Sequence, residues 1–279
     1  LQSILDLPLQ IDTSNIEAME RAMRIYNGKP LINSVNGKAE SMDAIFPLVK
    51  KYGGVVVALT LDEGGIPDTA DGRIRVAEKI YRRAAQYGID KKDILIDTLC
   101  MTISSDSQGA LTTLEAVRRV RDELHGKTIL GVSNVSFGLP QRENINAAFF
   151  TMAMMNGLNA AIINPGSEAM MRSWRSFRAL AALDENCGDY ISAFGGQIKP
   201  QPSDTAQDKG DAASEKTAEE GQKSQAQLWE SVVRGLKDQA ARAAAAALKE
   251  TSPLEVINAC MIPALDYVGK GFEQGTVFL

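Results

Sequence analysis

The chain has 279 residues, 44% of them hydrophobic and 23% charged, a balance that supplies a core and excludes a wholly disordered polypeptide. A formal net charge of -5 provides no basic face for nucleic acid, no run approaches the roughly 18 apolar residues of a membrane span, and there is no signal peptide. Cys100, Cys187 and Cys260 are too few and too far apart for a disulfide framework or a CxxC metal site, which suits a reducing cytoplasm.

In chain order, six runs rich in Val, Ile and Leu each end in one or two small polar residues or carboxylates. They are Leu7 to Ile11 ending at Asp12, Leu31 to Ile32 ending at Asn33 and Ser34, and Val55 to Leu61 ending at Asp62 and Glu63. The others are Ile94 to Ile96 ending at Asp97, Ile129 to Val132 ending at Ser133 and Asn134, and Ala160 to Ile163 ending at Asn164. Helical patterns lie between them, over Ser14 to Tyr26, Glu40 to Lys51, Arg73 to Tyr87, Thr112 to Leu124 and Arg142 to Asn156. Strand and helix alternating at this spacing predict an α/β fold with a parallel sheet. Six units fall short of the eight of a closed barrel, and the first strand starts near Leu7, so the expectation is a TIM-type barrel lacking its first two strands.

The composition changes after Gly195 and Gly196. Residues 197 to 226 carry almost no apolar side chains and read as a disordered linker, so that 1–196 forms the barrel. Ala226 to Lys249 is Ala-rich and helical, and Ser252 with Pro253 signals the start of another helix carrying Leu254, Val256, Ile257 and Met261. Residues 227–279 are therefore expected to begin a second domain, an incomplete α-helical bundle.

In a barrel of parallel strands, polar residues at the C-terminal strand ends face the active site. Asn134, in GVSNVSFGLP at 131 to 140, is the first candidate for chemistry on that ground. Asp97 closes an apolar strand with no adjacent Lys or Arg and leans towards function. Asp12 could equally cap the following helix with Ser14, and Asn33 and Asn134 could be turn formers. Asp62 and Glu63, before Gly64 and Gly65, read as loop solvation or as site residues. Arg142 reads as an exposed first-turn residue or as a contact to an acidic ligand. His125, the lone histidine, precedes Gly126 at a helix C-terminus, where a cation is favoured. That count excludes a metal site built on histidine, and it leaves no Ser-His-Asp triad while His125 keeps this helix-end position.

Six ordered motifs carry a family resemblance: PLQIDTS at 8 to 14, INSVNG at 32 to 37, ALTLDEGGIP at 58 to 67, ILIDTL at 94 to 99, GVSNVSFGLP at 131 to 140 and AAIINP at 160 to 165. With them, residues 1–196 resemble the pterin-binding methyltransferase domain of cobalamin-dependent methionine synthase and its corrinoid methyltransferase relatives. Residues 254 to 279 resemble the start of the helical cap that precedes a cobalamin-binding domain in the same enzymes.

The resemblance implies transfer of the N5-methyl group of methyltetrahydrofolate to cobalamin bound on an adjoining domain or partner protein, with a homocysteine module elsewhere. It implies that Asp12, Asn33 and Asp97 hold the pterin ring, whose 2-amino-pyrimidinone edge suits carboxylates and carboxamides. It places Asn134 near N5 as a hydrogen-bonding group, with Asp97 or solvent as the proton source. Ser133, Asn164, Asp62 and Arg142 complete the implied substrate contacts. The zinc site that activates homocysteine and the DxHxxG loop that ligates cobalamin are expected on other modules. A corrinoid-protein methyltransferase of one-carbon metabolism is an alternative acceptor assignment, and a non-catalytic folate-binding module is an alternative of another class. Dihydropteroate synthase also resembles this barrel, but its terminal Ser-x-Arg-x-His is missing.

Overall fold

A computed structural model describes residues 1–195, 219–249 and 251–273, without the side chains of 219–223 and 272–273. It comprises two compact units, residues 1–181 and 182–279.

The first unit alternates strand and helix: β1 (Gln10–Asp12), α1 (Ile16–Ile25), β2 (Leu31–Asn36), α2 (Ala39–Tyr52), β3 (Val55–Leu59) and α3 (Ala70–Gln86) come first. They are followed by β4 (Ile94–Asp97), α4 (Gly109–Asp122), β5 (Lys127–Gly131), α5 (Arg142–Met155), β6 (Ala160–Ile162) and α6 (Glu168–Leu180). The six strands are parallel and lie in sequential order, as the sequence predicted. Each crossover is then a helix packed on the same side of the sheet, the arrangement of a TIM-type barrel wall.

Strand alternation sorts the residues to two faces. Ile32, Val35, Val56, Ala58, Ile94 and Ile96 pack against Met19, Met23, Phe46, Val49, Ile74, Ala77 and Ile80 of the helices. Leu130 and Val132 join Leu114, Val117, Phe149, Phe150 and Ala153 in a second cluster. Each large side chain so buried stabilises the fold by roughly 1.5–3 kcal/mol. The opposite face receives Asp12, Asn33, Val57, Leu59, Leu95, Asp97, Ile129 and Gly131. In β2 the register shifts between Asn33 and Val35, which returns Val35 to the helix side and turns Asn36 to the free face. The Asn33–Ser34 peptide bond is cis.

Local signals fix the helix starts. Asn15 Oδ1 accepts from Ala18 N (2.9 Å) at the head of α1, and Thr69 Oγ1 accepts from Gly72 N (3.2 Å) at the head of α3. Asp12 is thus free of the capping duty considered for it. Lys38 gives α2 no side-chain cap; Glu63 from the β3–α3 loop accepts from Ala39 N (2.9 Å) instead. His125 follows α4 in a left-handed conformation (φ 48), and Gly126 N donates to Val120 O (2.9 Å).

In the second unit, a short helix α7 (Gly188–Phe194) precedes α8 (Glu219–Val233), α9 (Lys237–Ala247), α10 (Pro253–Val256), a π-helical turn at Ile257–Met261, and α11 (Ile262–Glu273). Two expectations need correction. The linker assigned to 197–226 lies outside the described residues except at its end, where residues 219–226 are already helical. The single helix expected over Ala226 to Lys249 is two, because Gly235 adopts a left-handed conformation (φ 66) and breaks the run between α8 and α9. Ser252 caps α10 as expected, its Oγ accepting from Glu255 N at 3.3 Å with Pro253 next in the chain. Leu228, Ala243, Ala247, Val256 and Cys260 form the core of this unit.

Candidate functional site

The sheet face opposite the helix core carries polar side chains at its C-terminal strand ends. Asp12 and Asn33 are register partners on β1 and β2, and Asn33 Nδ2 donates to Asp12 Oδ2 at 3.3 Å. Gln10 Nε2 donates to the same oxygen at 3.2 Å. Together with Ser34, Asn36, Leu59 and the head of α2, Asp12 and Asn33 line a cleft of about 500 Å³. That volume is in the range of small-molecule sites.

Two strands further on, Asp97 pairs in register with Leu59, one of the lining residues of the cleft, and is 8% exposed. Its Oδ1 accepts from Leu99 N at 2.8 Å, and Oδ2 has no hydrogen-bond partner among the described residues. Burial pushes the carboxyl up to about 6, against the pull of the Leu99 amide and the positive charge of Arg73. The strand end itself is held by Thr60, whose N–H and hydroxyl both donate to Asp97 O (3.0 and 3.1 Å).

Asn134 lies in a 3-10 turn (Val132–Ser136) that follows β5, with its side chain exposed. A Cβ at Gly131 would stand 3.2 Å from Asn134 Nδ2. Gly131 therefore allows the carboxamide to close over the free face of the sheet at the end of β5. Arg142 braces this turn from the first position of α5: Nη2 donates to Ser133 O (2.7 Å) and Nε to Ser136 Oγ (3.0 Å), while Ser136 Oγ donates to Asn146 Oδ1 (2.7 Å). Ser133 thus contributes its carbonyl to Arg142. The guanidinium also lies 5.8 Å from the ring centroid of Phe137.

The remaining predicted residues are placed otherwise. Asn164, after β6, accepts from Gly166 N (2.9 Å) in a tight local turn. Asp62 accepts from Gly64 N (2.9 Å), closes a two-residue turn with Gly65, and lines a separate cleft with Arg75, Lys79 and Arg82. Glu63 pairs with Lys79 (2.7 Å), and with the Ala39 amide this holds its carboxyl down at about 2. Two residues that face this end went unread in the sequence. Asn36 was hidden by the register shift, and Arg73 was hidden within an apolar helix stripe, although an arginine four residues before Ala77 and seven before Ile80 is itself a visible signal.

A family model described as pterin binding enzyme matches residues 1–164, and one described as B12 binding domain matches residues 224–279. The methylcorrinoid:tetrahydrofolate methyltransferase of Eubacterium limosum is 30% identical over 206 residues, covering 72% of this chain and 75% of the relative. Methionine synthases of Mycobacterium leprae and Mycobacterium tuberculosis are 30% and 31% identical over 197 and 191 residues, which span 66% and 64% of this chain and only 16% of each of those proteins. Among solved structures, the Yersinia pestis dihydropteroate synthase in complex with a sulfonamide drug superposes with a TM-score of 0.52 at 17% identity, covering 65% of this chain and 69% of that one. The same enzyme with a pterine-sulfa conjugate gives 0.52 at 18%, with 64% and 71% covered. These two likenesses bear on the fold alone. No described helix is long and apolar enough to cross a membrane.

Proposed function

Because the chain belongs to the pterin-binding enzyme family, we propose that it is a methyltransferase working between N5 of methyltetrahydrofolate and a corrinoid carried by the domain at its C-terminal end. The carrying observation is that Asp12, Asn33 and Asp97 stand at the C-terminal strand ends on one face of the sheet.

Each side chain has a physical role in this reading. Asp97 Oδ2 accepts from the N–H groups of the pyrimidinone edge, and Asp12 and Asn33 meet the remaining polar atoms of the ring. A ring lacking those atoms would leave the carboxylates unpaired, at about 1–3 kcal/mol for each group. Asn134 offers its amide to N5, where the breaking C–N bond leaves electron density. A carboxamide is no acid, so the proton at N5 comes from solvent, because Asp97 in this reading is ionised and engaged with the pyrimidinone edge on the other ring. Ser133 and Arg142 keep the Asn134 turn in place, and holding both reactants in line is the main task of the protein.

A reduced corrinoid, when bound, supplies the cobalt nucleophile. Leu254, Ile257 and Leu265 are exposed along the run from α10 to α11 and fit the apolar face of such a ring. We read the acceptor pathway as methionine synthesis in the cytoplasm, with homocysteine handled by a module elsewhere, since corrinoid-binding helices follow the pterin barrel on one chain. The Eubacterium limosum relative supports a second reading, in which the methyl group runs from corrinoid to tetrahydrofolate.

The test is calorimetric titration of the chain with methyltetrahydrofolate, followed by spectroscopic detection of methyl transfer to free reduced cobalamin and, separately, from methylcobalamin to tetrahydrofolate. Binding lost in Asp97→Ala and transfer slowed in Asn134→Ala support the proposal. Absence of folate binding by the folded chain overturns it.

A further inference from the structure

The largest fully buried side chain among the described residues carries a charge. Arg73, 2% exposed, sits in the first turns of α3. Its guanidinium makes no ion pair among the described residues. Nε donates to Pro67 O (3.1 Å), and Nη1 donates to Thr98 O (2.9 Å), Leu99 O (3.0 Å) and Thr113 Oγ1 (2.9 Å). A buried cation is tolerated only when its donors are satisfied. Here Nε and Nη1 of the rigid guanidinium fork tie together the β3–α3 loop, the two residues after β4, and α4.

The consequence falls on Leu99. Held by its carbonyl, it takes a left-handed conformation (φ 57) that is uncommon for a residue with a side chain. The peptide whose carbonyl, Thr98 O, Arg73 holds also carries the Leu99 N–H that donates to Asp97 Oδ1 (2.8 Å). We propose that Arg73 is the positioning residue of the pterin site: through Thr98 and Leu99 it fixes the direction in which Asp97 presents its second oxygen. This rests on the reading that Asp97 binds the pterin. Arg73 touches no ligand in this account; it acts through the backbone, and its charge favours the ionised form of Asp97. The titratable groups facing the guanidinium are Asp68, Asp97, Cys100 and Asp106.

The experiment uses the full chain with Arg73→Lys, Arg73→Gln and Thr113→Val, each checked for folding by circular dichroism and thermal unfolding. Two quantities are read: the Asp97 carboxyl titration by carbon-13 NMR of labelled aspartate, which needs no ligand, and the Kd for methyltetrahydrofolate against pH. Arg73→Gln should move the Asp97 titration to higher pH and weaken binding most. Arg73→Lys keeps the charge without the fork, so the titration stays near that of the wild type while Kd rises about tenfold, the worth of one hydrogen bond to a charged group. Thr113→Val, the mildest change, should raise Kd with the titration unmoved. Folded variants that lose thermal stability but keep both the titration and Kd of the wild type would overturn the proposal. Wild-type protein that binds no folate, with the Asp97 titration still displaced in Arg73→Gln, would overturn the pterin reading and leave the coupling standing.

Discussion

Asn33 donates its side-chain amide to Asp12 across adjacent parallel strands, at 3.3 Å between residues that are also partners in the β-ladder. The bond orients both groups from a backbone register and leaves Asp12 Oδ1 without a partner among the described residues. Asn33→Ala is expected to raise Kd for methyltetrahydrofolate about tenfold, with little change in thermal stability because the pair is partly solvated. Asn33→Asp should bind more weakly still at pH 7, since it sets a second carboxylate beside Asp12, and should regain affinity as the pH falls and one of the two protonates. Calorimetry at two pH values checks both.

Asp97→Asn is expected to separate stability from function. The folded-state carboxyl titrates at about 6, above its ordinary 3.8, so the native state binds the proton more tightly than the unfolded chain does. Well below its ordinary 3.8 both states are protonated and the group is neutral to stability. Between that value and about 6 the unfolded chain ionises before the folded one, and the cost grows to about 3 kcal/mol at higher pH. A carboxamide at this position avoids that cost, so the melting temperature of the variant should exceed that of the wild type at pH 8, by a margin that shrinks as the pH falls to 4, while folate binding is lost at both. A variant less stable than the wild type at pH 8 would contradict the burial argument.

Arg142→Ala removes the two bonds that hold Ser133 O and Ser136 Oγ and with them the brace of the Asn134 turn. Asp12, Asn33 and Asp97 are untouched. The expected result is a fall in kcat for methyl transfer of about tenfold or more with Kd for the folate within twofold, because misplacement of a reacting group acts on rate. If Kd rises in step with the loss of rate, Arg142 contacts the ligand directly.

Gly235→Ala places a side chain at φ 66 with no atom within 4 Å of the new Cβ. The penalty is therefore one of backbone conformation alone, about 1 kcal/mol, and should appear as a lower melting transition of the helical unit. Folate affinity of the first unit should be unchanged.

Much of the candidate site was legible in the sequence because a parallel strand announces itself as an apolar run and its C-terminal end as the first polar residue. Asp97 illustrates this: ILID predicts both the strand and the residue that closes it, and β4 ends there. Asp62 and Asn164 show that the same signal also marks turn-building residues. Each is the first polar residue after its run, but short-range bonds to Gly64 and Gly166 use its side chain to build a turn. Nothing in the run preceding them distinguishes a polar side chain that serves a ligand from one that serves its own loop.

The sequence by itself determined the order of the strands, their parallel pairing and the end of the sheet where polar groups collect, since these follow from the periodicity of burial and the chirality of strand-helix-strand units. The tertiary structure alone decided which polar groups meet. Arg73 reaches carbonyls and a hydroxyl 6, 25, 26 and 40 residues away, and the bulge at Asn33 adds Asn36 to the cleft. Those outcomes depend on distances between segments remote in the chain. A buried arginine acquires its role only when the carbonyls it must satisfy have been brought around it.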